Sequence, residues 1–127
     1  MEINKIDAPK KILVVDDDQA IREVIMMILE IEGYHVLGLN NGRGVVDTVH
    51  QTRPDIVLLD VQLGDSDGRD ICRELKGQPA TQEIPVIIIS ANHGWSALHE
   101  KQCNADGFLA KPFDLTELVN HVRRFAA

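Results

Sequence analysis

Ile56-Val57-Leu58-Leu59-Asp60 decides how the rest of the chain is read. Four apolar residues run without a polar interruption and stop at a carboxylate. Such a run fits a strand buried on both faces, as in a parallel sheet covered by helices, because neither side of the pleat then meets water. A short buried helix has the same periodicity. Arg53-Pro54-Asp55 in front and the polar, Gly-containing stretch 62–68 behind mark turns and favour the strand. In an open parallel sheet, ligands sit outside the carboxyl ends of the strands, near the point where strand order reverses. Asp60 is therefore expected at a ligand-facing edge.

Working outward, Ile12-Leu13-Val14-Val15 is a second uninterrupted run, and it ends in Asp16-Asp17-Asp18. Asp18 is placed to cap a helix whose apolar positions Ile21, Val24, Ile25, Ile28 and Leu29 fall at helical spacing, with Gly33 stopping it. His35 to Leu39 is a partly polar strand, as expected near a sheet edge, and Val45, Val46 and Val49 mark a second helix. Asp67-Gly68 opens a third helix carrying Ile71, Cys72 and Leu75, closed by Gly77 and Pro79. Val86 to Ile89 is a fourth strand ending at Ser90-Ala91, and Gly107 to Ala110 a short fifth ending at Lys111-Pro112. Between them, Trp95 to Gln102 reads as a weak helix with Leu98 as its one large aliphatic residue. Asp114-Leu115-Thr116-Glu117 resembles a capping box, and Leu115, Leu118, Val119, Val122 and Phe125 give the last helix an apolar stripe.

Strand and helix alternate five times, which predicts an α/β fold of flavodoxin-like (βα)5 type. Its five-stranded parallel sheet is doubly wound, with strand order 2-1-3-4-5. That order sets the first and third strands side by side. Asp16, Asp17 and Asp60 then converge, with Ser90 and Lys111 at the ends of the two strands beyond.

The bulk properties agree with one domain. A chain of 127 residues, 44% hydrophobic and 26% charged, supports a single core. Residues 1–10, polar with one proline, read as a flexible leader, and 11–127 as the folded unit. A net charge of -7 argues against direct nucleic-acid binding, which calls for clustered Lys and Arg. No apolar run approaches the ~18 residues of a membrane span, and no signal-peptide core is present, so a cytoplasmic location without a membrane partner is expected. Cys72 and Cys103 stand far apart, with no CxxC and no His at ligand spacing, and read as idle buried thiols in a reducing compartment.

Three converging carboxylates repel one another by about 4 kcal/mol per pair at ~4 Å and an effective dielectric of ~20. A pKa must rise or a cation must enter. Oxygen-only ligands select a hard ion, Mg²⁺, with Mn²⁺ or Ca²⁺ as substitutes. An Asp beside such an ion, with a Lys to hold equatorial oxygens, is suited to accept a phosphoryl group as an aspartyl phosphate. Ser90 is placed to hydrogen-bond that phosphate.

At this point the chain resembles a known family. Val14-Val15-Asp16-Asp17-Asp18, Leu58-Leu59-Asp60 with Asp67-Gly68 behind it, Ser90-Ala91 and Lys111-Pro112-Phe113 look like the response regulator receiver domain of two-component signalling. The resemblance covers about residues 11 to 125. It implies that Asp60 is the phosphoacceptor and that Asp16 and Asp17 hold Mg²⁺ with Asp60 and the Gln62 backbone carbonyl. It implies that Lys111 binds the phosphate, that Ser90 is the switch hydroxyl and that Phe108 is the aromatic switch. The implied phosphodonor is a sensor histidine kinase or phosphotransfer protein. The implied signalling face is the fourth predicted helix, the fifth strand and the last helix, with Trp95 close by, serving a homodimer or an effector. Such a protein is a signalling phosphoacceptor and not an enzyme.

Two positions depart from the family. Leu63-Gly64 replaces a common Met-Pro, so the loop after Asp60 is expected to be more flexible. Asn104 stands where Gly is usual, and Asn tolerates the left-handed conformation such a turn needs. Two other readings compete. Asp16-Asp17-Asp18-Gln19-Ala20 is similar to the nucleophile motif of haloacid-dehalogenase-type phosphatases, with Asp16 attacking. Ala20 replaces the usual Thr or Val there, no acidic motif follows Lys111, and no cap domain is present. A scaffold receiver that is never phosphorylated is the other. A small phosphodonor with Mg²⁺ separates the three: stoichiometric labelling, turnover, or none.

Overall fold

The computed structural model describes residues 9–91 and 103–126. The expected fourth helix, with Trp95, lies outside the described residues. Each apolar run is a strand: β1 (Lys11–Val15), β2 (His35–Leu39), β3 (Ile56–Asp60), β4 (Val86–Ser90) and β5 (Gly107–Ala110). All pairings are parallel, in the order β2-β1-β3-β4-β5. Among the described residues the helices are α1 (Gln19–Ile31), α2 (Val45–Thr52), α3 (Gly68–Lys76) and, last in the chain, α4 (Leu115–Ala126). The doubly wound α/β architecture expected from the alternation is the one observed.

The pleat sorts the core into two layers. Leu13, Val15, Val57, Leu59 and Ile88 cluster with Val45 and Val49 of α2 and with Ile71, Cys72 and Leu75 of α3. Ile12, Val14, Ile56, Leu58, Ile87 and Ile89 cluster on the other side with Ile25 and Leu29 of α1 and Leu118 and Val122 of α4. β3 and β4 are buried along their whole length, which is why their sequences lack alternation. β2 is partly exposed, as an edge strand is.

Side-chain caps set where the helices begin. Asp18 accepts from the Ile21 amide at 3.1 Å, Asp67 from Arg69 at 2.8 Å and Asp114 from Glu117 at 2.7 Å. Asn104 sits at φ 61, so the left-handed turn before β5 survives without glycine. The apolar stripes need correction at two places. Leu115 and Val24 stay 51% and 47% exposed, because both line a groove between α1 and the start of α4 instead of facing the sheet. Leu63 is buried in the α2–α3 layer, and its amide donates to the Ser66 carbonyl at 3.2 Å.

Candidate functional site

The register delivers the site residues. Val15 of β1 lies opposite Leu59 of β3, so Asp16 and Asp60 arrive next to each other one step further on. Alternation places Asp16 with Ile12 and Val14, and Asp60 with Ile56 and Leu58, both on the α1–α4 side of the sheet. One carboxylate oxygen from each of Asp16, Asp17 and Asp60 lies within 4.8 Å of the others. Lys111, just past β5, reaches across: its Nζ is 3.0 Å from Asp16 Oδ2 and 3.1 Å from Asp60 Oδ2. Its amide donates to the Ser90 carbonyl at 2.8 Å, which fixes where the side chain starts, and its peptide bond to Pro112 is cis.

Burial sets the electrostatics. Asp16 is 1% exposed and Asp60 6%, whereas Asp17 lies open to solvent. Burial pushes the Asp60 carboxyl above its ordinary pKa, and the Asp16 charge adds to that, against the pull of Lys111. Burial favours the neutral form of Lys111, but its hydrogen bonds to Asp16 and Asp60 outweigh it and hold the ammonium. Asp16 Oδ1 is taken by the Asp18 amide at 2.9 Å, and Asp60 Oδ1 accepts only a long bond of 3.3 Å from the Gln62 amide. Three carboxylates against one ammonium leave a formal charge of -2 among oxygen donors alone. That donor set fits a hard divalent cation.

The remaining candidates fall around this pocket. Ser90 ends β4, buried, beside the Lys111 backbone. The Gln62 side chain points to solvent, and its backbone stays within reach of Asp60. Phe108 lies opposite Ile88 in the β4–β5 register and is 37% exposed. By alternation Ser90 and Phe108 belong with Ile88, on the α2–α3 side, so the structure does not bring Phe108 into the carboxylate pocket.

Two contributors escaped the sequence reading. Gly68 donates its amide to the Val61 carbonyl at 2.8 Å, and a Cβ there would run into the carbonyl oxygen of Asp60. Asp67-Gly68 signalled a helix start but gave no hint of that close approach. The Arg22 guanidinium donates to the Asp16 carbonyl at 2.8 Å, a contact of α1 with the end of β1. The groove that exposes Val24 and Leu115 has a volume of ≈ 540 Å³ and is bordered by Lys111.

The pattern of the family described as "Response regulator receiver domain" matches residues 12–123. The response regulator MprA of Mycolicibacterium vanbaalenii is 37% identical over 116 residues, 91% of this chain and 49% of that protein. The chain thus spans about half the length of the curated relatives it matches. A putative response regulator from Chloroflexus aurantiacus superposes with a TM-score of 0.88 at 30% identity, covering 94% of this chain and 98% of the other. The receiver domain of the sensor histidine kinase PA1611 from Pseudomonas aeruginosa has a magnesium ion coordinated in its active site cleft. It superposes with a TM-score of 0.86 at 30% identity, over 94% of this chain and 98% of that one.

Proposed function

The chain belongs to the response regulator receiver domain family, and on that footing we propose that it is the phosphoacceptor of a two-component pathway, with Asp60 as the acceptor residue. The observation that carries this is the meeting of Asp16, Asp17, Asp60 and Lys111 at the carboxyl edge of the sheet. Residues 11–127 form the receiver and 1–10 its leader. The site is cytoplasmic, and its own reactions are autophosphorylation and autodephosphorylation of Asp60 alone.

Asp16, Asp17 and Asp60, with the Gln62 backbone carbonyl, would hold Mg²⁺, which would supply charge neutralisation for the carboxylates and the phosphoryl oxygens. Asp60 presents an oxygen to the phosphorus of a phosphohistidine on a sensor kinase or phosphotransfer protein. The P–O bond to Asp60 forms, the P–N bond breaks, and the imidazole leaves with a proton from solvent. Lys111, already 3.1 Å from Asp60 Oδ2, moves its ammonium onto an equatorial oxygen of the incoming group. Ser90 then donates its hydroxyl to the aspartyl phosphate. The groove bordered by Lys111 receives the donor, since a protein seated there brings its histidine to the pocket. Phe108, β5 and α4 supply the output surface, to an effector or a second copy.

Asp16 is not the nucleophile in this reading. It is the more deeply buried of the two, and the Asp18 amide holds its second oxygen. The test is labelling by acetyl phosphate with Mg²⁺. The parent and Asp18→Asn take up one phosphate per chain, and Asp60→Asn takes up none. Phosphate mapped to Asp16, or release of inorganic phosphate with turnover, overturns the assignment.

A further inference from the structure

The fold brings together the chain's two cysteines, separated by 31 residues in sequence. Cys72 lies on the buried face of α3, and Cys103 lies just before the Asn104 turn that leads into β5. Both are buried in the α2–α3 layer. The Cys72 thiol donates to the Cys103 carbonyl at 3.2 Å, which sets the two residues side by side. We propose that Cys72 and Cys103 are a modification site: a dithiol that hydrogen peroxide converts to an intramolecular disulfide joining α3 to the start of β5.

The surroundings divide the labour between the two sulfurs. The neighbouring Cys72 thiol, with help from the Ala105 amide and the charges of Arg73 and Arg69, lowers the Cys103 thiol to about 7 against the effect of burial. The Cys72 thiol is pushed the other way, by Cys103 first and then by burial, and keeps its proton. Cys103 is therefore the attacking thiolate and Cys72 the resolving thiol. The Cys103 sulfur attacks one peroxide oxygen, the O–O bond breaks, and the leaving hydroxide takes a proton, giving a sulfenic acid and water. The Cys72 sulfur then attacks the sulfenic sulfur, its proton joins the departing hydroxyl, and a second water leaves. Two thiols lose two electrons, and peroxide becomes two waters. The bond closes a loop that contains β4 and Ser90, so it fastens the chain on both sides of the switch hydroxyl.

The test uses the reduced, unmodified chain. It is treated with hydrogen peroxide, quenched with catalase, denatured and alkylated, and its intact mass is read. The expected product is a monomer that takes no alkyl group, regains two after dithiothreitol, and has a higher thermal midpoint when oxidised. Cys72→Ala should stop at a sulfenic acid trapped by dimedone, and Cys103→Ala should leave Cys72 unoxidised. Met27, 56% exposed, reports that peroxide acted. Two alkylated thiols in protein whose Met27 is oxidised, or a disulfide between chains instead of within one, overturns the proposal. This test does not depend on phosphorylation of Asp60.

Discussion

Replacing Lys111 by methionine keeps the length of the side chain and removes the charge that Asp16 and Asp60 share. Each carboxylate lies 3.0 or 3.1 Å from Nζ. At an effective dielectric of ~20 each attraction is about 5 kcal/mol, offset by desolvation of the ammonium. What remains in the variant is two buried carboxylates with no cation between them. Breaking a buried pair in this way costs roughly 3–5 kcal/mol. There is also a ceiling: at pH 7 the protein escapes by protonating one carboxyl of ordinary pKa, at about 4 kcal/mol. With one side of the site open through Asp17, the expected loss is about 2–4 kcal/mol in EDTA. With an m-value of ~2 kcal/mol/M, urea unfolding followed by circular dichroism should show a midpoint lower by about 1–2 M. Asp60→Asn added to Lys111→Met should recover most of it, because the repulsion then has one member. Millimolar Mg²⁺ should narrow the gap as well. A single variant that unfolds in EDTA within about 0.3 M of the parent would refute the reasoning.

Other outcomes follow from the same geometry. Mg²⁺ at about 100 times its dissociation constant should stabilise the parent by about 2.7 kcal/mol, and Asp17→Asn should lose most of that response in the same urea assay. Gly68→Ala should cost about 1–3 kcal/mol by forcing α3 away from the Asp60 carbonyl, and should slow labelling of Asp60 by acetyl phosphate. The Cys103 thiol is lowered from 9.0 to about 7, so its thiolate fraction, and with it the rate of peroxide oxidation, rises with pH. The rate should climb about fivefold from pH 6 to 7 and less than about twofold from 7 to 8, where a free cysteine would still be rising steeply.

Much of this was legible in the sequence because a parallel sheet buried on both sides writes itself as uninterrupted apolar runs. Ile56 to Leu59 and Val86 to Ile89 are such runs, and their polar ends coincide with the strand ends. The caps at Asp18, Asp67 and Asp114 and the turn at Asn104 were legible for a local reason, since a short polar side chain bonds its own neighbouring backbone. Contacts between distant residues have no such local trace. Lys111 and Asp16 are 95 residues apart, and it was the strand order, with no signal near either residue, that brought them to one edge. The closeness of Cys72 and Cys103 has no local trace for the same reason. Leu115 and Val24 satisfied helical periodicity and still face a groove, because the period fixes a face but not what the neighbouring element covers.

The side of the sheet on which each residue falls has a consequence for how such a protein can diversify. Asp16, Asp60 and Lys111 stand with the α1–α4 layer, and Ser90 and Phe108 with the α2–α3 layer. On the proposed function, the phosphoryl group would arrive from the α1–α4 face, while the output surface would join Phe108, from the opposite face, to α4 around the β5 edge. A substitution in the groove beside α1 would then change which donor is accepted, and one beside Phe108 which partner responds.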